Sequence, residues 1–385
     1  MKKSILLLCV AFVLLFAGCD KTPEAATDET SSAEPYVLQV APEDRNQAII
    51  YENFVETPEG YYYGWEKLIY FCPRGGDKFY PLCGKPNCKH DSPDCNAWFH
   101  GDLFGYYNGS LYAVNRNLEF SKLAVEKMNL DGTDHQVVAE VDISEIASLS
   151  YSFSFHHGKL FIYTGSVFLP QMADKQDRMI VMDLADYSIS EPFTDYLQTE
   201  KFPDMVLRYY KDKLYGYTTG SLGPLVEMNT ATGEVRNPLP VDSRLTNVYA
   251  TDTTLYSFEP DPSLFDPSLY GDEAGSLIPG FHEYDLKTGE TKDCGLPVAD
   301  LTWARYDNEL ICAGTNKVPM TVYFFSRDYE LLGQIQMEER QHVYGMTSDR
   351  IYFSGTQIES PISFYLEKSK IREGDFTLIP IETQK

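Results

Sequence analysis

Residues Asn108–Val114 read NGSLYAV, a two-residue turn running straight into a short apolar strand. The phrase returns as HGKLFIY from His157, KDKLYGY from Lys211, TDTTLYSF from Thr251, DNELICA from Asp307 and SDRIYFS from Ser348, with EKLIYF from Glu66 as a first copy of seven. From Leu111 the matching apolar positions fall at Leu160, Leu214, Leu255, Leu310 and Ile351, at intervals of roughly 41 to 55 residues. That is the period of a four-stranded propeller blade, which hides its faces only against two neighbours. The spacing predicts an all-β chain, folded over residues 36–385 as a single seven-bladed β-propeller, with six or eight blades as the alternative counts.

A second phrase follows several copies, an apolar strand entering an acidic or Asn turn: VEKMNLDGTD at Val125–Asp134, LVEMNTATGE at Leu225–Glu234, FHEYDLKTGE at Phe281–Glu290 and a degraded VMDLADYS at Val181–Ser188. Asp-Gly and Thr-Gly suit tight hairpins, because Gly tolerates the positive φ such turns need. The turn at Asp131-Gly132 lacks the alternating carboxylates and distal Glu of an EF-hand calcium loop. With 28 Tyr and 22 Phe against 26 Gly and 22 Pro, the chain suits many short strands joined by turns. Tyr36–Val55, with YVLQV and QAIIYENFV, is expected to close the ring beside strands near FTLIPI at Phe376–Ile381.

The first nineteen residues, MKKSILLLCVAFVLLFAGC, set two lysines before an apolar core too short to span a bilayer as a helix. The Ala17-Gly18-Cys19 ending resembles a bacterial lipobox, with Phe16 where Leu is usual. The resemblance implies cleavage after residue 18 and a diacylglyceryl group on Cys19, placing the protein at the cell membrane on its extracytoplasmic face. Residues 20–35, DKTPEAATDETSSAEP, hold too little apolar surface to offset ordering and read as a flexible tether. The net charge of -25 argues against nucleic acid and anionic surfaces as partners, since both repel it.

The repeats, the lipobox-like end, MNLDG at Met128–Gly132 and PLCGKPNCKHDSPDCNAWF at Pro81–Phe99 together resemble TolB-like and related hairpin-repeat propellers, above all uncharacterised lipoproteins of anaerobic Gram-positive bacteria. The resemblance implies a fold and an address, and carries no activity.

With Cys9 in the leader and Cys19 lipidated, six cysteines remain: Cys72, Cys83, Cys88, Cys95, Cys294 and Cys312. Cys83, Cys88, His90 and Cys95 offer three thiolates and an imidazole, the donor set of a closed, structural zinc site. Disulfides among Cys72, Cys83, Cys88 and Cys95 are the competing reading, since an even number of cysteines outside the cytoplasm supports a framework. A hairpin turning at Gly75-Gly76 sets Cys72 opposite Phe79, which makes a direct Cys72–Cys83 bridge awkward. The cluster falls on a crossover from the rim of one blade to the axis of the next.

No GxSxG, HExxH or phosphate-binding glycine loop occurs, and no catalytic residue is assigned. His156-His157 reads as a turn pair, and the tyrosines as strand packing before sugar platforms. The insert Glu259–Gly280 is long enough to contact a partner. The leading function is a tethered interaction or ligand-binding module for a protein or glycan. An envelope carbohydrate-active enzyme, or a metal- or redox-handling protein using the cluster, are the alternatives.

Overall fold

The computed structural model describes residues 53–99, 103–117, 121–144, 151–164, 178–193, 196, 205–218, 225–239, 245, 248–260, 279–315, 317–337, 343–354 and 362–384. Residues 1–52, with the expected leader, Cys19 and tether, and most of the Glu259–Gly280 insert lie outside them. Within them the chain forms seven antiparallel meanders, the blades of a β-propeller, and a short helix at Lys368–Glu373.

The first blade comprises β1 (Phe54–Glu56), β2 (Gly60–Trp65), β3 (Leu68–Pro73) and β4 (Lys78–Pro81); the second comprises β5 (Leu103–Tyr107), β6 (Ser110–Arg116), β7 (Lys122–Asn129) and β8 (Gln136–Asp142). Inner strands open the remaining blades at Tyr151–His156, Met205–Tyr210, Tyr249–Ala250, Trp303–Tyr306 and Val343–Met346. The six repeat positions from Leu111 to Ile351 are no more than 2% exposed, all in second strands. Burying each such side chain contributes about 1.5–3 kcal/mol. Leu111, Leu160, Leu214, Leu255 and Ile351 lie across from Tyr106, Phe155, Tyr209, Ala250 and Met346 on the inner strand. In the sixth blade Ile311, opposite Tyr306, holds the equivalent register.

Two expectations are corrected. EKLIYF is β3, a third strand, and its Glu66-Lys67 turn closes the second hairpin of the blade. The first copy is instead TPEGYYYGW at residues 57–65. There the Thr57 N–H donates to the Gly60 carbonyl at 2.8 Å, as Thr251 does to Thr254 and Thr347 to Arg350. The phrase is disguised because Tyr61, Tyr62 and Tyr63, all buried, replace the aliphatic ladder. The second correction concerns closure. Phe54 and Val55 pair with Tyr63 and Tyr62 as the innermost strand of blade one, not with C-terminal strands. Ile379–Pro380, inside FTLIPI, is the outer strand of blade seven, and the ring closes where the next residues, Glu382–Thr383, add in parallel to Lys78–Phe79. Residues 36–52 lie outside the described residues.

Two residues of pairing hold little by themselves, and the Lys78–Glu382 ion pair at 2.6 Å is exposed and screened by solvent. The seam is carried by side chains. Phe54 lies 4.8 Å from the Tyr352 ring, and the buried Arg350 guanidinium sits 4.1 Å from the Tyr365 centroid and 5.1 Å from that of Tyr61 while donating to the Gly76 carbonyl at 2.6 Å. Desolvated cation–π contacts of this kind contribute about 2 kcal/mol. Because each blade is sealed by its neighbours, the two halves of a chain cut after Gly220 are expected not to fold separately; two cooperative, protease-resistant halves would refute the single ring.

Candidate metal centre

The cysteine-rich loop interrupts the outer edge of blade one. β4 ends with the Leu82 N–H donating to the Ile69 carbonyl, and the chain then leaves the sheet. It returns at Ala97–Phe99, where the Ile69 N–H donates to the Ala97 carbonyl at 2.8 Å and the Phe99 N–H to the Lys67 carbonyl at 2.7 Å. Residues 83–96 are therefore an excursion whose two ends grip one strand, β3. This is the rim-to-axis crossover expected from the sequence, since β5 follows as the inner strand of blade two.

Within the excursion, turns fold the donors inward. Asn87 and His90 take φ of 59° and 56°, the left-handed conformation that Asn and His tolerate better than branched residues. The Cys95 N–H donates to the Ser92 carbonyl and the Trp98 N–H to the Cys95 carbonyl, both at 3.0 Å. Cys83, Cys88, His90 and Cys95 thereby present four ligand atoms lying within 4.8 Å of one another. His90 Nδ1 stands 3.2 Å from Cys95 Sγ. A tetrahedron with zinc–sulfur bonds near 2.3 Å has edges of about 3.8 Å, so the four donors need only a small contraction. This cluster could hold a metal such as zinc.

The thiols differ electrostatically. Burial works against the Cys83 thiolate, yet the Lys85 and Asn96 backbone N–H groups and the Cys95 and Cys88 thiols outweigh it and hold that thiol below its ordinary value. Cys95 is pushed up to about 12, first by burial and then by the neighbouring sulfurs. Crowding thiols in this way favours ionisation of one sulfur and retention of the proton on its neighbour. Cys72 is not among the gathered donors. It is buried in the core of blade one, its Sγ 3.6 Å from the Pro73 carbonyl, and burial pushes its thiol up to about 11. The six cysteines of the ring are thiols in this structure.

The loop also meets blade two. Gly132, in the MNLDG turn, has φ of 74°, and a Cβ there would lie 2.5 Å from the Asn96 carbonyl oxygen and 2.7 Å from that of Leu82. These are the residues just outside Cys83 and Cys95. His135 Nε2 lies 3.2 Å from the Asn96 oxygen and 2.9 Å from that of Gly132, while its Nδ1 lies 2.8 Å from Glu126 Oε1. Hydrogen bonding to Glu126 leads the causes that raise the His135 pKa. Sequence reasoning found both phrases and missed that they touch; the signal was an Asp-Gly turn whose glycine is required by a neighbour as well as by its own φ. Asp131 accepts from the Thr133 N–H and hydroxyl, a turn role as expected. His156 is buried and His157-Gly158 forms the hairpin turn.

No family model and no curated protein matches the chain. The solved structures that it resembles include β-propellers. A prolyl endopeptidase structure aligns at TM-score 0.54 and 11% identity over 88% of this chain and 51% of its own, so the chain spans about half of that protein. The propeller domain of the Trilobed protease from Pyrococcus furiosus gives a TM-score of 0.47 and 11% identity, covering 82% of this chain and 95% of that one. BamB from Moraxella catarrhalis gives 0.40 and 9%, covering 78% and 81%. At these identities the likeness is one of fold.

Replacing Gly132 by Ala is expected to lower stability by more than about 1 kcal/mol, through both the positive φ and the clash with two carbonyls. Urea midpoints would measure it. An Ala variant at Gly233, where a Cβ meets nothing within 4 Å, isolates the contribution of φ alone. Equal losses at the two positions would contradict the contact.

Proposed function

We propose that the protein is a lipid-anchored, extracytoplasmic propeller that serves as an interaction or ligand-binding module, with one structural zinc held by Cys83, Cys88, His90 and Cys95. The observation that carries the zinc is the convergence of four donors of the right kind within 4.8 Å, on a loop whose ends are fixed to β3. Four protein ligands fill a tetrahedral zinc and leave no position for water, so the metal would stabilise and not catalyse. It would fix Leu82 and Asn96, and through them the Gly132 turn, sealing blade one to blade two. The membrane address rests on the leader and Cys19, and the module reading on a rigid ring carried on a tether.

Zinc requires thiolates, and Cys95, at about 12, keeps its proton at neutral pH in the metal-free protein. Binding must therefore expel a proton, and affinity should rise with pH and weaken in acid. Protein prepared under reducing conditions is expected to carry about one zinc per chain, and His90→Ala to lower that content. Cys83, Cys88 and Cys95 found oxidised in metal-free native protein would establish disulfides in its place.

Labelling with a fatty acid should be lost in Cys19→Ala; persistence would exclude that lipid site. Capture of a specific partner from envelope extract, set beside a glycan array, tests the module: turnover of a bound glycan would favour the carbohydrate-active alternative.

A further inference from the structure

His135 immediately precedes β8, and the polar neighbours of its ring are all oxygens. Nδ1 stands 2.8 Å from Glu126 Oε1, while Nε2 stands 2.9 Å from the Gly132 carbonyl oxygen and 3.2 Å from that of Asn96. A carboxylate and two carbonyls can only accept, whereas a neutral imidazole has one N–H and one lone pair. The ring is therefore satisfied when both nitrogens carry protons. From β7 the Glu126 carboxylate, whose other oxygen accepts from the Asn115 amide at 3.0 Å, supports that cation through a charge-assisted bond.

The Asn96 carbonyl belongs to a peptide group whose other end reaches the metal donors. Its N–H, that of Ala97, donates to Cys95 Sγ at 3.4 Å. The N–H of Asn96 itself is one of the two backbone groups that favour the Cys83 thiolate. A single peptide group thus accepts from His135 at its oxygen and donates to Cys95 from its nitrogen. A charged donor on a carbonyl oxygen draws electron density from the attached nitrogen, and linked hydrogen bonds strengthen one another in this way. Cys95 is buried, so little water reaches its sulfur and the polarised N–H counts for more. Gly132 makes the approach possible, since a Cβ there would lie 2.5 Å from the same Asn96 oxygen.

We infer that His135 is a positioning residue of the metal centre: through the Asn96–Ala97 peptide it orients and polarises the donor to Cys95, so that metal affinity depends on a side chain of blade two that does not touch the metal. Partners standing one bond behind a ligand typically change metal affinity about 10- to 100-fold. The inference rests on the zinc reading and carries the centre across the seam into blade two.

Competition of the reduced full chain for zinc against a chromophoric chelator tests it, with cobalt(II) substitution as the spectroscopic readout. His135→Ala is expected to weaken zinc binding about 10- to 100-fold. It should also move the thiolate-to-cobalt charge-transfer band to longer wavelength, because a sulfur with weaker N–H donation gives up an electron more readily. His135→Gln, which keeps a neutral donor near the Nε2 position, should recover part of both effects. Val141→Ala, which removes two methyls from the core of blade two, should lower thermal stability and leave the zinc affinity and the cobalt band unchanged. Wild-type affinity and an identical band in folded His135→Ala, or a loss in Val141→Ala as large as that in His135→Ala, would overturn the inference. The two readings fail separately. A wild-type chain that binds neither metal would overturn the centre itself, whereas about one zinc per chain with an unaltered His135→Ala variant would leave the centre standing and remove only the role of His135.

Discussion

Neither face of a four-stranded blade can be kept dry by the blade itself, and everything else in this ring follows from that. Each seam has its own fastening. Lys211 and Asp252 form an exposed pair between blades four and five. Arg327 lies against Tyr249, Tyr256 and Tyr306 between five and six. The buried Lys368 and Asp307 pair between six and seven. The seam between the last blade and the first joins opposite ends of the chain, and among the described residues only a two-residue strand crosses it. Phe54, Tyr61, Phe79, Tyr352 and Tyr365 pack there around Arg350.

The cysteine-rich loop belongs to the same problem. Blade one gives up part of its outer strand to an excursion of fourteen residues, from 83 to 96, with few apolar side chains of its own. Such a segment holds its shape through backbone turns, the Lys85 ammonium donating to the Asp94 carbonyl, and whatever links its sulfurs. Its neighbours, Leu82 and Asn96, offer their carbonyls to a turn of blade two, so order inside the loop becomes order at a seam. A local cross-link there acts on the ring through contact with Gly132, which has no side chain to push the loop away.

Much of this was legible in residues. The ladder from Leu111 to Ile351 announced the blade period because each position is a second-strand side chain enclosed on all sides, and selection for volume leaves a regular trace. The gathering of Cys83, Cys88, His90 and Cys95 was legible because soft donors at short spacing are costly to place without a use. Blade one was misread where tyrosines took the aliphatic positions and a second tight hairpin imitated the repeat. Closure was misread because Glu382–Thr383 is two residues with no pattern, and its partner is set by tertiary register.

Glu382 meets Lys78 from roughly three hundred residues away in sequence, so the outermost backbone groups of blade one wait for the whole ring to form before they are covered. Contacts of such separation are late and slow to form. Until then β4 presents an unsatisfied strand edge, the template on which chains of different molecules pair. A chain that has folded six blades and lost its last few residues is therefore adhesive as well as incomplete, and the small parallel clasp keeps the molecules apart as much as it holds the ring shut.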